Sequence, residues 1–387
     1  MAQSVDEGYR VLAAKYFRKQ AKRLAEQAEG ARKGDDPECI HQARVASRRL
    51  RAGMRMFGEC FDTEQLKTWR KQIRRVTRRL GDARDKDVQI EFLCGVLDAL
   101  KQKACYPGIA QLLAKLERQR QRLQPQVVEA AERLKASGVI EQMQAVTKRV
   151  LSEATAEGAS LCSPCVLTQT RQHILENLEQ LLAYQDSLTD PEDLQRHHAL
   201  RIAAKRLRYT LEISAPVYRG RLDGTVDAIK KVQTLLGGVH DCDVWAEHLQ
   251  AFAAKERQRT LKYYGRVEPF ARLDVGIEYL QQQRRQRRAE VFQELVDEWQ
   301  QLGHRREWEK LVEAVRGPGP HVTAPEPPLE AASQATAQPE DGRSKPNGGG
   351  AGENLPQEPR SGAKHLRGAR RQAEAVAVPA TQPARGR

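Results

Sequence analysis

The chain has 387 residues, with 65 Lys and Arg against 51 Asp and Glu for a formal charge of +14, and 40% hydrophobic but only 5% aromatic content. That length suits one large or two medium domains. The low aromatic share argues against an aromatic-rich β core and for helices packed through Leu, Ala and Val, while the positive balance predicts a polyanionic partner.

No run approaches the roughly 20 apolar residues of a membrane span. The start, MAQSVDEGYR, lacks the basic end and apolar core of a secretory signal, which predicts a cytoplasmic protein with no membrane partner. Seven scattered cysteines, an odd number, predict reduced thiols rather than a disulfide framework.

From Val5 to about Arg316 the sequence reads as successive helices with apolar residues at three and four spacing, and no run alternates as a strand would. The predicted fold class is all-α. Two halves are expected, about residues 5–157 and 161–316, joined through the GluGlyAlaSerLeuCysSerProCys stretch from Glu157. Residues 317–387 are rich in Pro, Gly and Ala and poor in large apolar side chains, which predicts a disordered tail carrying one short basic element, KHLRGARR from Lys364.

In the first half AspAspProGlu at Asp35 predicts a helix start, because an Asp oxygen caps free amides and Pro fits the first turn. HQARVASRRLR follows from His41. On a helix turning ~100° per residue, His41, Arg44, Arg48, Arg51 and Arg55 share an arc of about 80°, with Ala46, Leu50, Met54 and Phe57 opposite. In the next helix, KTWRKQIRRVTRRLGDARD, Trp69, Ile73, Val76 and Leu80 form the apolar stripe. Lys67, Lys71, Arg74, Arg75 and Arg78 occupy the other side.

The second half repeats this order. HHALRIAAKRLR equates His198, Arg201, Lys205, Arg206 and Arg208 with His41, Arg44, Arg48, Arg49 and Arg51, always 157 residues apart (198 − 41, 208 − 51). Leu200, Ala203, Leu207 and Leu211 form its apolar back. ThrAspProGlu at Thr189 precedes this copy with three extra residues, and LGGVHDCDV from Leu236 echoes LGDARDKDV from Leu80 at an offset of 156 (236 − 80). Lys230 and Lys231 match Arg74 and Arg75, but Thr234 replaces Arg78 and Asp227 replaces Lys71. Two separate stretches repeating at nearly one offset indicate a duplicated unit of about 150 residues.

Four like charges on one helix face repel, so a compensator is needed. Glu212, at the place of Arg55, is the only carboxylate on either ridge. A bound anion is the alternative, and Arg suits phosphate because its fork donates paired hydrogen bonds and keeps its charge. His41 and His198 read equally as capping or buried histidines or as phosphate donors.

Asp85 with Asp87, and Asp241 with Asp243, do not share a helix face as a metal pair would. After a Gly at a turn they read instead as caps and salt bridges to neighbouring arginines. His240 beside Asp241 is the weak exception, a fragment of a metal phosphohydrolase doublet with Arg84 at the matching place. Cys162 and Cys165 form a CxxC with no second pair, so no metal, cofactor or catalytic residue is assigned.

The pairing of HxxRxxxRRLR with a later LGxxxDxDV, twice in a basic helical chain, resembles the CHAD family, the conserved-histidine α-helical domain. The resemblance covers about residues 5–316. It implies two four-helix bundles related by an approximate twofold, with a basic groove between them that binds inorganic polyphosphate. Carried over by position, it implicates His41, Arg44, Arg48, Arg49 and Arg51 with His198, Arg201, Lys205, Arg206 and Arg208; His240 in place of Arg84 leaves a charge there in question.

To these the charge pattern adds Arg55, Lys71, Arg74, Arg75, Arg78, Lys230 and Lys231. The resulting expectation is a non-enzymatic polyphosphate binder, with association to polyphosphate granules as a corollary. Nucleic acid in the same groove is the alternative and a metal-dependent phosphohydrolase the third. Single-strand nucleic-acid binders interleave aromatic rings with their cations, and neither ridge does.

Overall fold

The computed structural model describes residues 6–34, 36–157 and 160–317; the expectation for the tail lies outside the described residues. Among the described residues there are ten α-helices and no strand: α1 (Glu7–Lys33), α2 (Pro37–Met56), α3 (Thr63–Ala99), α4 (Tyr106–Ala136), α5 (Val139–Glu157), α6 (Pro164–Leu182), α7 (Leu194–Tyr218), α8 (Asp223–Tyr264), α9 (Ala271–His304) and α10 (Glu307–Arg316). The all-α expectation holds.

Helix starts follow from side-chain caps. Asp36 accepts from the Glu38 amide at 2.8 Å and Pro37 occupies the first turn of α2, as its sequence predicts. The second copy differs. α7 begins three residues after Pro191, with Asp193 accepting from the Arg196 amide at 3.0 Å, while Asp190 holds the Glu192 amide at 2.9 Å in the preceding turn. The three extra residues of this copy therefore make a turn before the helix.

A second difference lies at LGDARDKDV and LGGVHDCDV, where the sequence suggests a turn. Both run inside helices, α3 of 37 residues and α8 of 42. The apolar period continues across the glycines, from Leu80 to Ile90 and Leu93 and from Leu236 to Trp245 and Leu249, all buried. Burial along one stripe outweighs the modest cost of Gly in a helix interior.

Helices α1–α5 pack chiefly among themselves, as do α6–α10. The two sets meet where α2 crosses α7 and where α4 runs against α9. One hydrophobic core runs through both sets, and a second gathers Leu93, Leu112, Leu116, Leu249, Phe252 and Leu280 from α3, α4, α8 and α9. The α4–α9 contact depends on two glycines: a Cβ on Gly108 would lie 2.1 Å from the Leu273 carbonyl oxygen, and one on Gly276 would lie 2.2 Å from that of Cys105.

Backbone atoms cannot yield as side-chain tips do. Gly108→Ala is expected to lower unfolding free energy by about 1–3 kcal/mol. Gly95→Ala, exposed on α3 with open space around it, should raise it by about 0.5–1 kcal/mol. Urea denaturation checks both, and equal effects at the two positions would contradict the close helix approach.

Candidate functional site

The site begins with what α2 and α7 bury. Ala46, Leu50, Met54 and Phe57 of the first repeat are fully buried, as are Leu200, Leu207 and Leu211 of the second, with Ala203 nearly so. A fully buried Leu contributes roughly 1.5–3 kcal/mol, so each helix is fixed in rotation by its apolar back. The cationic faces cannot turn away.

Helix α2 packs against α7. Arg44 and Arg48 from α2 and Arg201 and Lys205 from α7 lie close enough that each row's charge bears on the other. All four are half-buried. The Nε atoms of Arg48 and Arg201 are buried and donate to nothing among the described residues.

Carboxylates reach this cluster from the neighbouring helices. Arg44 Nη2 lies 3.4 Å from Asp85 Oδ1 of α3, and Asp241 of α8 is the main favourable charge acting on Arg201. Gly81 makes room for the first contact: a Cβ there would stand 2.2 Å from Arg44 Nη1. The matching Gly237 has open space instead.

Crowding shifts the titrations. Burial, then the positive field of Arg201 and Arg48, pushes the Lys205 ammonium down to about 8, against a smaller opposing pull from Asp241. Burial likewise lowers Arg44 and Arg201 and raises Asp241. His41 is lowered by burial and by Arg84, and His198 by burial, Arg201 and Lys205. His240 stands 5.1 Å from His198, ring to ring, and is pushed to about 4 by burial and Arg201. Three imidazoles therefore flank the cations as neutral groups at pH 7.

The doubled histidine at 197–198 divides into two roles. His197 is buried against the Phe292 ring, with Nε2 2.8 Å from the Ser187 carbonyl. His198 is exposed beside the cations.

Other nominated residues fall elsewhere. Arg49 Nη2 donates to Glu212 Oε2 at 2.9 Å across the helix crossing, and Arg208 Nε donates to Glu212 Oε1 at 2.7 Å. Arg206 reaches Gln180 at 3.2 Å, and Arg51 lies within the field of Arg55. On α3, the stripe of Trp69, Ile73, Val76 and Leu80 is buried, leaving Lys71, Arg74, Arg75 and Arg78 exposed on the opposite side. Lys230 pairs with Asp227 at 2.8 Å and Lys231 with the buried Glu298 of α9, so neither is drawn into the α2–α7 cluster.

The Asp pairs serve as ion-pair acceptors without capping any helix: Asp87 takes Arg120 Nε at 2.6 Å and Asp243 takes Arg288 Nε at 2.5 Å. The CxxC segment starts a helix, with Ser163 accepting from the Val166 amide at 3.1 Å and donating to Asp6, the cap of α1, at 3.0 Å. Among the described residues no group of three His, Cys, Asp or Glu side chains is arranged to hold a metal ion, and no helix is long and apolar enough to cross a membrane.

Sequence reasoning left three contributors out of the site, although it noted the charge of Arg84. Arg84 presses on His41; Arg70, which donates to the Met54 carbonyl at 3.2 Å, presses on Arg55; and Gly81 admits the Arg44 guanidinium. The Gly shared by the two LG stretches was the available signal for the last.

The CHAD domain sequence model matches residues 15–250. An uncharacterized protein of Mycobacterium tuberculosis, found in two strains, is 25% identical over 235 residues, 60% of this chain and 44% of the relative. The chain thus spans less than half the length of these curated relatives. The crystal structure of the CHAD domain from the plant Ricinus communis superposes with a TM-score of 0.55 at 22% identity, covering 77% of this chain and 93% of that one, a likeness of fold.

The Lys205 assignment is open to direct titration. Side-chain NMR should show its ammonium titrating near pH 8, and Arg201→Gln should move the midpoint up toward the ordinary 10.5. Because the unfolded lysine holds its proton to 10.5, this group's share of stability should rise as pH increases through that window. A midpoint already at the ordinary lysine value in the unsubstituted protein would contradict the packed cluster.

Proposed function

This chain belongs to the CHAD domain family, and we propose that it binds inorganic polyphosphate, without catalysis, through a basic groove centred on Arg44, Arg48, Arg201 and Lys205. The observation that carries the reading is that α2 packs against α7 with four half-buried cations, two from each helix, within one another's field. Asp85 and Asp241 offset them only in part.

Two unit charges about 6 Å apart repel by about 3 kcal/mol at an effective dielectric of about 20. A polyanion removes that repulsion at several places at once. Arginine supplies forked donors for phosphate oxygens, and the unpartnered Nε atoms of Arg48 and Arg201 are donors still without acceptors. His41, His198 and His240 can gain protons beside phosphate, which would strengthen binding as pH falls.

The choice of polyphosphate over nucleic acid rests on what separates the cations. Val45, Ala46 and Ser47 stand between Arg44 and Arg48, and Ile202, Ala203 and Ala204 between Arg201 and Lys205. No Phe, Tyr or Trp stands between those cations for a base to stack on. Polyphosphate granules would be the natural target of such a site.

Four charge reversals, Arg44, Arg48, Arg201 and Lys205 to Glu, are expected to abolish polyphosphate binding in an equilibrium titration while circular dichroism keeps its helical signal. Affinity of the unsubstituted protein should fall steeply with salt, as counterion release requires. Gly81→Ala should weaken binding about threefold to tenfold by displacing Arg44, without loss of stability, since only a flexible side-chain tip has to move. Polyphosphate that fails to displace RNA at matched charge, or that is shortened on incubation with divalent metals, would overturn the reading.

A further inference from the structure

The repeat register pairs positions that the two helices use in opposite ways. At the constant offset of 157, Arg49 corresponds to Arg206, Arg51 to Arg208, and Arg55 to Glu212. On one side of the α2–α7 crossing Glu212 accepts from Arg49 and from Arg208, and all three side chains are largely buried, at 19%, 22% and 23% exposure. Two cations there are satisfied by one carboxylate and turned into a structural bolt.

The matching side has no such carboxylate. The register sets Arg55 where Glu212 stands, Arg206 where Arg49 stands and Arg51 where Arg208 stands, so the ion-paired triad is replaced by three arginines. Arg55 and Arg206 are exposed. Arg70 of α3 joins them, held by the Met54 carbonyl. Partial desolvation of Arg55 by its neighbours, and then the fields of Arg206, Arg51 and Arg70, disfavour its charge.

We propose that Glu212 closes one end of the polyphosphate site, and that Arg51, Arg55, Arg70 and Arg206 form a phosphate subsite at the other end, so a long chain leaves the central cations in one direction only. This rests on the polyphosphate reading and adds a polarity to it. A short chain fills the central four cations; a longer one extends toward Arg55.

The test compares tripolyphosphate with long-chain polyphosphate on the full chain at fixed ionic strength. Arg55→Glu would give Arg206 the partner that Glu212 gives Arg49, and should weaken long-chain binding by about tenfold more than tripolyphosphate binding. Arg257→Glu, an equal charge change at an exposed place on α8, should weaken both ligands alike. Arg55→Gln should show the same selective loss at smaller size, which guards against a folding defect in the reversal. Glu212→Gln, by freeing Arg49 and Arg208, should strengthen long-chain binding more than Glu247→Gln does at an exposed site on the same helix as Arg257.

Arg55 variants that track Arg257→Glu on both ligands, together with no gain from Glu212→Gln, would overturn the polarity. If Arg44→Glu with Arg48→Glu still abolishes binding in that case, the polyphosphate reading stands without it. Failure of the unsubstituted protein to bind either ligand would remove both.

Discussion

Everything distinctive about this molecule follows from packing α2 against α7 with like charges facing each other. The apolar backs leave no freedom in the matter: Leu50 and Met54 on one helix and Leu200, Leu207 and Leu211 on the other are buried, so rotating the cations away would expose them. Hydrophobic burial thus drives together groups that electrostatics would separate. The repulsion is held in the folded state and becomes available to any ligand that neutralises it.

The fold limits that repulsion without cancelling it. Asp85 and Asp241 approach from α3 and α8, helices that pass the cluster unbroken because the shared LG stretches continue the helix. Glu212 pairs with both Arg49 and Arg208, offsetting one of their two charges, and ties the helix crossing together. The half-buried ammonium of Lys205, brought down to about 8 by desolvation first and then by the fields of Arg201 and Arg48, shows that the remaining positive charge is not fully balanced. The second contact between the two sets of helices, at Gly108 and Gly276, brings the backbones of α4 and α9 close together away from these cations.

Much of this was legible in the sequence because periodicity and repetition are local signals. The apolar backs of both ridges, the stripe at Trp69, Ile73, Val76 and Leu80, and the Asp36–Pro37 helix start follow from spacing alone. What spacing could not show is which cation meets which acid. Arg49 and Arg208 read as ligand donors until Glu212, 163 positions from Arg49, is seen to reach across the crossing. Lys231 read as a groove cation although a buried acid on α9 holds it. The glycine of LGDARD read as a turn because Gly and Asp together resemble one, whereas its use is to admit the Arg44 guanidinium between packed helices.

The central claim is that the unpaired donors of this crossing await phosphate. Arginine Nε–Hε NMR spectra recorded while polyphosphate is added measure it most directly. The signals of Arg48 and Arg201 should shift first and farthest, at substoichiometric ligand, while those of Arg120 and Arg288, locked to Asp87 and Asp243, stay in place. Shifts spread evenly over exposed arginines, with Arg48 and Arg201 unmoved, would contradict it.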